Sequence, residues 1–143
     1  MKTAAELLRA YAKPLCTVPP EATVFDALHI LAKHGLGALP VIDAQGKLVG
    51  IVSERDYTRK VALQGKNSRE TPVLDIMTRE VLVVSPATRA LDCMALMSTR
   101  NIRHLPVMDG DKLVGVLAIR HLLDEIIAEQ QYTIEQLESY IHS

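Results

Sequence analysis

Apolar positions along this chain alternate between two periods, and the alternation predicts its elements in order. The segment Thr3-Ala4-Ala5-Glu6 is a capping box that opens a short amphipathic helix, which Lys13-Pro14 then interrupts. Residues 15–18 read as a strand ending at Pro19-Pro20. Val24, Leu28, Leu31 and Ala32 then fall at helical spacing, and Gly35 is suited to the C-terminal cap. Strands follow at 38–42 and 47–52, and a further helix starts near Ser53 and turns Tyr57, Val61 and Leu63 toward the core. The polar stretch 65–70 is a linker, after which Thr71-Pro72 opens a short helical turn through Ile76 as a cap followed by a proline at the first helical position. A strand at 81–84, a helix at 88–100, a hairpin at 104–117 and a helix from about 119 complete the series. Near the end, Thr133-Ile134-Glu135-Gln136 is another capping box. It predicts two helical pieces hinged near Tyr132, with Ile134, Leu137 and Ile141 as an apolar stripe.

The order β-α-β-β-α is written twice. Leu39-Pro40-Val41-Ile42-Asp43 and Lys47-Leu48-Val49-Gly50-Ile51 recur as Leu105-Pro106-Val107-Met108-Asp109 and Lys112-Leu113-Val114-Gly115-Val116. Val18, Pro20 and Asp26 match Val84, Pro86 and Asp92 in the same register, and one residue is dropped where Asp43-Ala44-Gln45-Gly46 becomes Asp109-Gly110-Asp111. Asp-Gly between apolar runs is a hairpin signal. The reading is an α+β chain with an N-terminal helix at 1–14, a first motif at 15–64, a linker at 65–71, a second motif at 72–127 and a helical extension at 128–143. A unit that cannot bury its apolar face alone packs against its copy, which puts a ligand site between the two.

With 143 residues and 48% hydrophobic content, the chain is long and apolar enough for a buried core. Its 16 basic and 17 acidic residues give no global field for nucleic acid or an anionic membrane, and Phe25 with four tyrosines offers no base-stacking platform. The longest apolar runs are strand-sized, and no secretion signal is evident, so a membrane location is not expected. Cys16 and Cys93 form neither a Cys-x-x-Cys pair nor a disulfide framework, which suits a reducing, cytoplasmic setting. Met94, Met97 and Met108 sit at core spacing. No nucleophile–base pair, Walker loop or metal set is present in the pattern, so an enzyme is not expected.

A tandem β-α-β-β-α repeat with a Leu-Pro-Val-x-Asp strand and a Gly-x-x-Ser-x-x-Asp turn, Gly50 to Asp56, resembles the cystathionine-β-synthase (CBS) domain pair, or Bateman module, over residues 15–127. Small bacterial stand-alone pairs are similar in Ser53-Glu54-Arg55-Asp56-Tyr57 and in the tail Tyr132-Thr133-Ile134-Glu135-Gln136-Leu137. The resemblance implies two motifs related by a pseudo-twofold axis, a homodimer, and a regulatory, non-catalytic role in which AMP, ATP or NAD binds between the motifs. It assigns Asp56 to the ribose, Ser53 to the ribose or phosphate, Gly37, Ala38, Leu39 and Pro40 to the base, and Thr78 with the backbone of Val81 to contacts from the other motif. A carboxylate accepts from both ribose hydroxyls, a helix start offers N–H groups to phosphate, and Arg55 adds a cation.

The second copy departs from this pattern, having Ala118 for the hydroxyl and His121 for the carboxylate. Arg103, His104, Arg120 and His121 instead mark a possible second site for an anion, or a solvated basic rim. No third ligand stands at metal-binding spacing beside His104 and His121. Two bland readings stand beside the functional one. Ser53 and Asp56 also fit a plain capping box, and the whole chain also fits a structural or protein-interaction module with empty clefts.

Overall fold

The computed structural model describes residues 2–11 and 13–142, which form two compact units, one comprising Lys13–Leu82 and the other Met1–Ala12 with Val83–Ser143. Among the described residues there are five α-helices and two antiparallel hairpins, an α+β tandem repeat: α1 (Ala4–Tyr11), α2 (Val24–His34), β1 (Ala38–Ile42), β2 (Leu48–Ser53), α3 (Glu54–Tyr57), α4 (Ala90–Arg100), β3 (His104–Asp109), β4 (Lys112–Ala118) and α5 (Ile119–His142). The units cut across the motif boundaries read from the repeat. The stretch 72–82 packs with the first motif and α1 with the second.

In the Lys13–Leu82 unit, α2 begins at a complete capping box between Thr23 and Asp26 and ends at Gly35, whose φ of 63° is the left-handed cap that glycine adopts most readily. Val24, Ala27 and Leu31 on this helix meet Leu39, Val41 and Val52 of the hairpin, with Val61, Val73 and Ile76 closing the cluster. In the other unit, Ala4 and Leu7 of α1, Cys93 and Met97 of α4, Leu105, Val107 and Leu117 of the hairpin, and Leu122 of α5 are fully buried. Met94 and Met108 are only half-buried. Each hairpin shifts register at the same repeat position, Val41/Ile42 and Val107/Met108.

Several expected elements take other forms. The strands expected at 15–18 and 81–84 are each reduced to one parallel bridge, Val18 to Val41 and Val84 to Val107. Prolines 14, 19 and 20 flank the first bridge and Pro86 follows the second, so neither neighbourhood can extend a ladder. Leu63 is exposed, because after Tyr57 the chain widens into a π-helical turn, Thr58–Ala62, that carries Leu63 out of line with buried Val61. Pro72 is the residue before a 3-10 turn, Val73–Asp75, and lies outside it; the Thr71 hydroxyl donates to the Asn67 carbonyl at 2.8 Å, and the turn has no side-chain cap. The helix expected from Thr88 begins at Ala90, since the Thr88 hydroxyl closes a turn by accepting from the Ser85 N–H. The expected break near Tyr132 is absent, and α5 is one helix of 24 residues. There the Thr133 hydroxyl donates to the Glu129 carbonyl one turn back and leaves the ladder intact.

Each hairpin carries a glycine against which a segment from outside the motif is pressed. A Cβ on Gly50 would meet Met77 Sδ at 2.6 Å and the Thr78 carbonyl oxygen at 3.0 Å, whereas one on Gly115 would meet only the Leu8 methyls at 2.8 and 2.9 Å. Leu8 can rotate aside; the Thr78 carbonyl is held by the backbone pair to Ile51, at 3.0 and 2.9 Å. Gly50→Ala is therefore expected to destabilise by about 1–3 kcal/mol, the range for overpacking, and Gly115→Ala by less. Urea midpoints of the two variants check the order.

Candidate functional site

The candidate adenosine residues lie in the Lys13–Leu82 unit, and the hairpin brings most of them together. Ala38 opens β1 opposite Ser53 at the end of β2, and the Gly37 carbonyl accepts the Glu54 N–H at 3.1 Å. Leu39 and Pro40 continue β1 and are buried. On the other edge of β2, Thr78 pairs with Ile51 through two backbone bonds, two residues and about 7 Å from Ser53. Val81 follows half-buried in irregular backbone, three residues beyond that pair.

Asp56 is buried and its carboxylate is shared. Oδ2 accepts the Ser53 N–H at 2.9 Å and the Ser53 hydroxyl at 3.1 Å, while the Ser53 Oγ accepts the Asp56 N–H at 3.2 Å. The capping box is thus complete. Oδ1 faces the Lys60 ammonium at 3.1 Å, and that ammonium also donates to the Ile76 carbonyl at 2.9 Å. Lys60 was not singled out in the sequence, although an acid and a base four apart on a helix are a known pairing signal. Two N–H groups at this helix start, those of Glu54 and Asp56, already have partners, so the donors expected for a phosphate are largely spent. Arg55, on the same turn, is half-buried.

The second candidate set sits at the matching corner of the other unit. Ile119 donates to the Arg103 carbonyl at 2.9 Å, and His104 opens β3 opposite Ala118. Arg103 and Arg120 are exposed and His104 is half-buried. His121 is buried, and its Nδ1 accepts the Ala118 N–H at 3.1 Å, the same cap that Asp56 provides to Ser53. The ring is therefore used in its neutral form with the proton on Nε2, and it stacks on Tyr11 at 6.3 Å. Four residues on, the partner position is inverted too. Where the first unit has Lys60, the second has Glu125, a buried carboxylate whose Oε2 accepts from Lys2 and from the Tyr11 hydroxyl, each at 3.0 Å. The Glu125 hydrogen bond holds the Lys2 ammonium and the Tyr11 phenol above their ordinary pKa values.

The remaining chemistry is sparse. Cys93 is buried and burial pushes its thiol up, away from the reactive thiolate; Cys16 donates to the Pro14 carbonyl at 3.7 Å. Among the described residues no three His, Cys, Asp or Glu side chains gather as a metal site, and no helix is long and apolar enough to cross a membrane.

The inversion at Glu125 generates a stability test. His121→Asn keeps an acceptor for the Ala118 N–H, whereas His121→Asp keeps it but faces Glu125 with a like charge one turn away. At neutral pH the Asp variant is expected to be less stable than the Asn variant by at least about 0.5 kcal/mol, since exposed like-charge pairs cost up to that and Glu125 is buried. Paired urea melts measure the difference.

These corners can be compared with known proteins. A family model for the CBS domain matches residues 4–63 and 73–128. The mitochondrial CBS domain-containing protein CBSX3 of Arabidopsis thaliana is 38% identical over 130 residues, covering 88% of this chain. The chain spans only 62% of the length of that relative. A solved structure of a protein with CBS domains from Burkholderia ambifaria is 43% identical and superposes with a TM-score of 0.85, covering 90% of this chain and 96% of that one. The CBS domain pair of the protein MJ0100, solved with 5′-methylthioadenosine and S-adenosyl-L-methionine, is 27% identical with a TM-score of 0.80 over 90% of this chain and 98% of that one. With both repeats matched and the hairpin corners built alike, this chain belongs to the CBS-domain family.

Proposed function

We propose that the corner holding Ser53 and Asp56 binds the ribose of an adenosine-containing regulator, of the AMP, ATP or NAD type, and that the protein senses this ligand without chemically changing it. CBS domain pairs are regulatory modules. The observation that carries the reading is the Asp56 carboxylate, buried at the end of β2, with one oxygen spent on the cap and the other held by a half-exposed Lys60 that a ligand can displace or share. Gly37 to Pro40 and Thr78 flank it on the two edges of β2, with Val81 beyond and Arg55 on the capped turn. The adenosine ligands bound to a 27% identical domain pair support the ligand class. The corner with Arg103, His104, Arg120 and His121 is a weaker candidate for a free anion. It has no ribose carboxylate, and His121 is engaged in its cap.

Capping and binding must be separated in the test, because Asp56→Ala removes both. Asp56→Asn retains an oxygen for the Ser53 N–H but loses the charge that accepts from a diol. It is expected to keep wild-type stability to within about 1 kcal/mol, the typical worth of a cap, while AMP affinity falls ten- to hundred-fold, about 1.4–2.8 kcal/mol. Calorimetric titration with AMP, ATP and NAD against both proteins decides it. Wild-type affinity in the folded Asn variant refutes Asp56 as the ribose ligand, whereas no heat with any of the three in the wild type favours the reading of an interaction module with empty clefts.

We also propose a homodimer in the cytoplasm. Among homo-oligomers the twofold pair is the commonest, and α5 leaves Leu123, Ile127, Ile134, Leu137 and Ile141 exposed. Light scattering at micromolar concentration is expected to report twice the 15.8 kDa chain mass, and a monomer refutes the dimer.

A further inference from the structure

We infer that α5 is the dimerisation element and that it pairs with α5 of a second copy as a short, parallel, in-register coiled coil. The inference deepens the homodimer reading and rests on it. Its basis is a spacing that emerges only because α5 is one unbroken helix. Leu123, Ile127, Gln130, Ile134, Leu137 and Ile141 follow one another at intervals of four, three, four, three and four residues, which is the heptad seam. Isoleucine fills every a position from 127 onward and leucine fills the d positions, with Gln130 the single polar layer. Isoleucine at a with leucine at d is the combination that favours two parallel strands.

The seam is not what holds α5 to its own unit. The helix packs there through His121, Leu122 and Glu125, and at 100° per residue that face lies roughly 155° around the helix from the seam. All five apolar seam residues are between 46% and 72% exposed, and every residue from 131 to 142 is exposed. From Leu123 to Ile141 the seam runs about 27 Å. It starts on the body of the unit and continues along the projecting tail.

Charge selects the occupant and its direction. Beyond Arg120 the helix has five acidic residues and no lysine or arginine, so an anionic membrane surface is disfavoured as the covering partner. In a parallel pair the flanking g-to-e′ neighbours are Ile126 with Gln131 and Thr133 with Glu138, with no like-charge contact. In the antiparallel alignment that matches a with d layers, Asp124 flanks Glu138 of the other copy, twice. Arg120, at the preceding a position, would face its own copy in the parallel pair, which sets the N-terminal limit of the seam at Leu123.

Full-length protein tests this with four variants. Ile134→Asp combined with Leu137→Asp, both on exposed positions, is expected to leave the circular dichroism of the folded units unchanged and to weaken dimerisation at least tenfold in sedimentation. Gln130→Cys is expected to form a disulfide with its own counterpart, located by peptide mass, while Glu135→Cys on the outer face is not. A wild-type monomer overturns the dimer reading and this inference together. A dimer that survives the double substitution overturns the inference alone. A dimer lost in the double variant in which Gln130→Cys cross-links only to Ile134→Cys on a second chain is antiparallel, and overturns the parallel register.

Discussion

At the corner where each hairpin becomes a helix, one backbone N–H must be satisfied, that of the residue ending the second strand. It sits where the ladder has stopped and the helix has not begun, so a side chain three residues on has to accept it. Asp56 does this for Ser53 and His121 for Ala118. The geometry is common to both units, but the accepting group is not, and the chemistry of each corner follows from it. A carboxylate has capacity left after the cap and calls for a cation, which Lys60 supplies. A neutral imidazole spends its one acceptor on the cap. The position four residues on is then released from holding a cation, and Glu125 instead fastens Lys2 and Tyr11 of the N-terminal segment.

The second corner is thus a structural joint in its own right. Replacing His121 alone by aspartate would set two carboxylates a turn apart, with the Lys2 ammonium already engaged by Glu125. The absence of a carboxylate at position 121 and the attachment of the N-terminal segment at position 125 go together. The segment preceding each motif reinforces this. Thr3 bridges to Arg89 as Pro72 bridges to Thr23, and Leu8 covers Gly115 as Met77 covers Gly50. Each unit is finished by a segment outside its motif.

The hairpins, α2, α4 and the Thr3 and Ser53 capping boxes were legible in the sequence because their signals are local: apolar period, turn residues, and an acceptor three residues from a donor. The roles of Lys60 and Glu125 were hidden, since they depend on which groups the long-range packing of Ile76, Lys2 and Tyr11 brings to them. The strands at 15–18 and 81–84 failed because apolar composition says nothing of available N–H partners. Thr133 misled for a related reason. The same hydroxyl that caps a helix start bonds the carbonyl one turn back within a helix, and only the neighbouring backbone decides between them.

That ambiguity at Thr133 matters beyond secondary structure. A break near Tyr132 would split the apolar residues of α5 into two unrelated patches, each too short to pair. With the helix continuous, Leu123 and Ile141 lie on one line, and residues that look like scattered exposed hydrophobics acquire a common spacing. The first two turns of the same helix carry His121 and Glu125, the residues that cap the corner and hold the N-terminal segment. A pair formed along its seam would therefore be anchored to the N-terminal segment and the second hairpin through the first two turns of α5. The corner with the Asp56 carboxylate lies outside that unit, and Asp56 keeps its cap and its counter-ion without any contribution from α5.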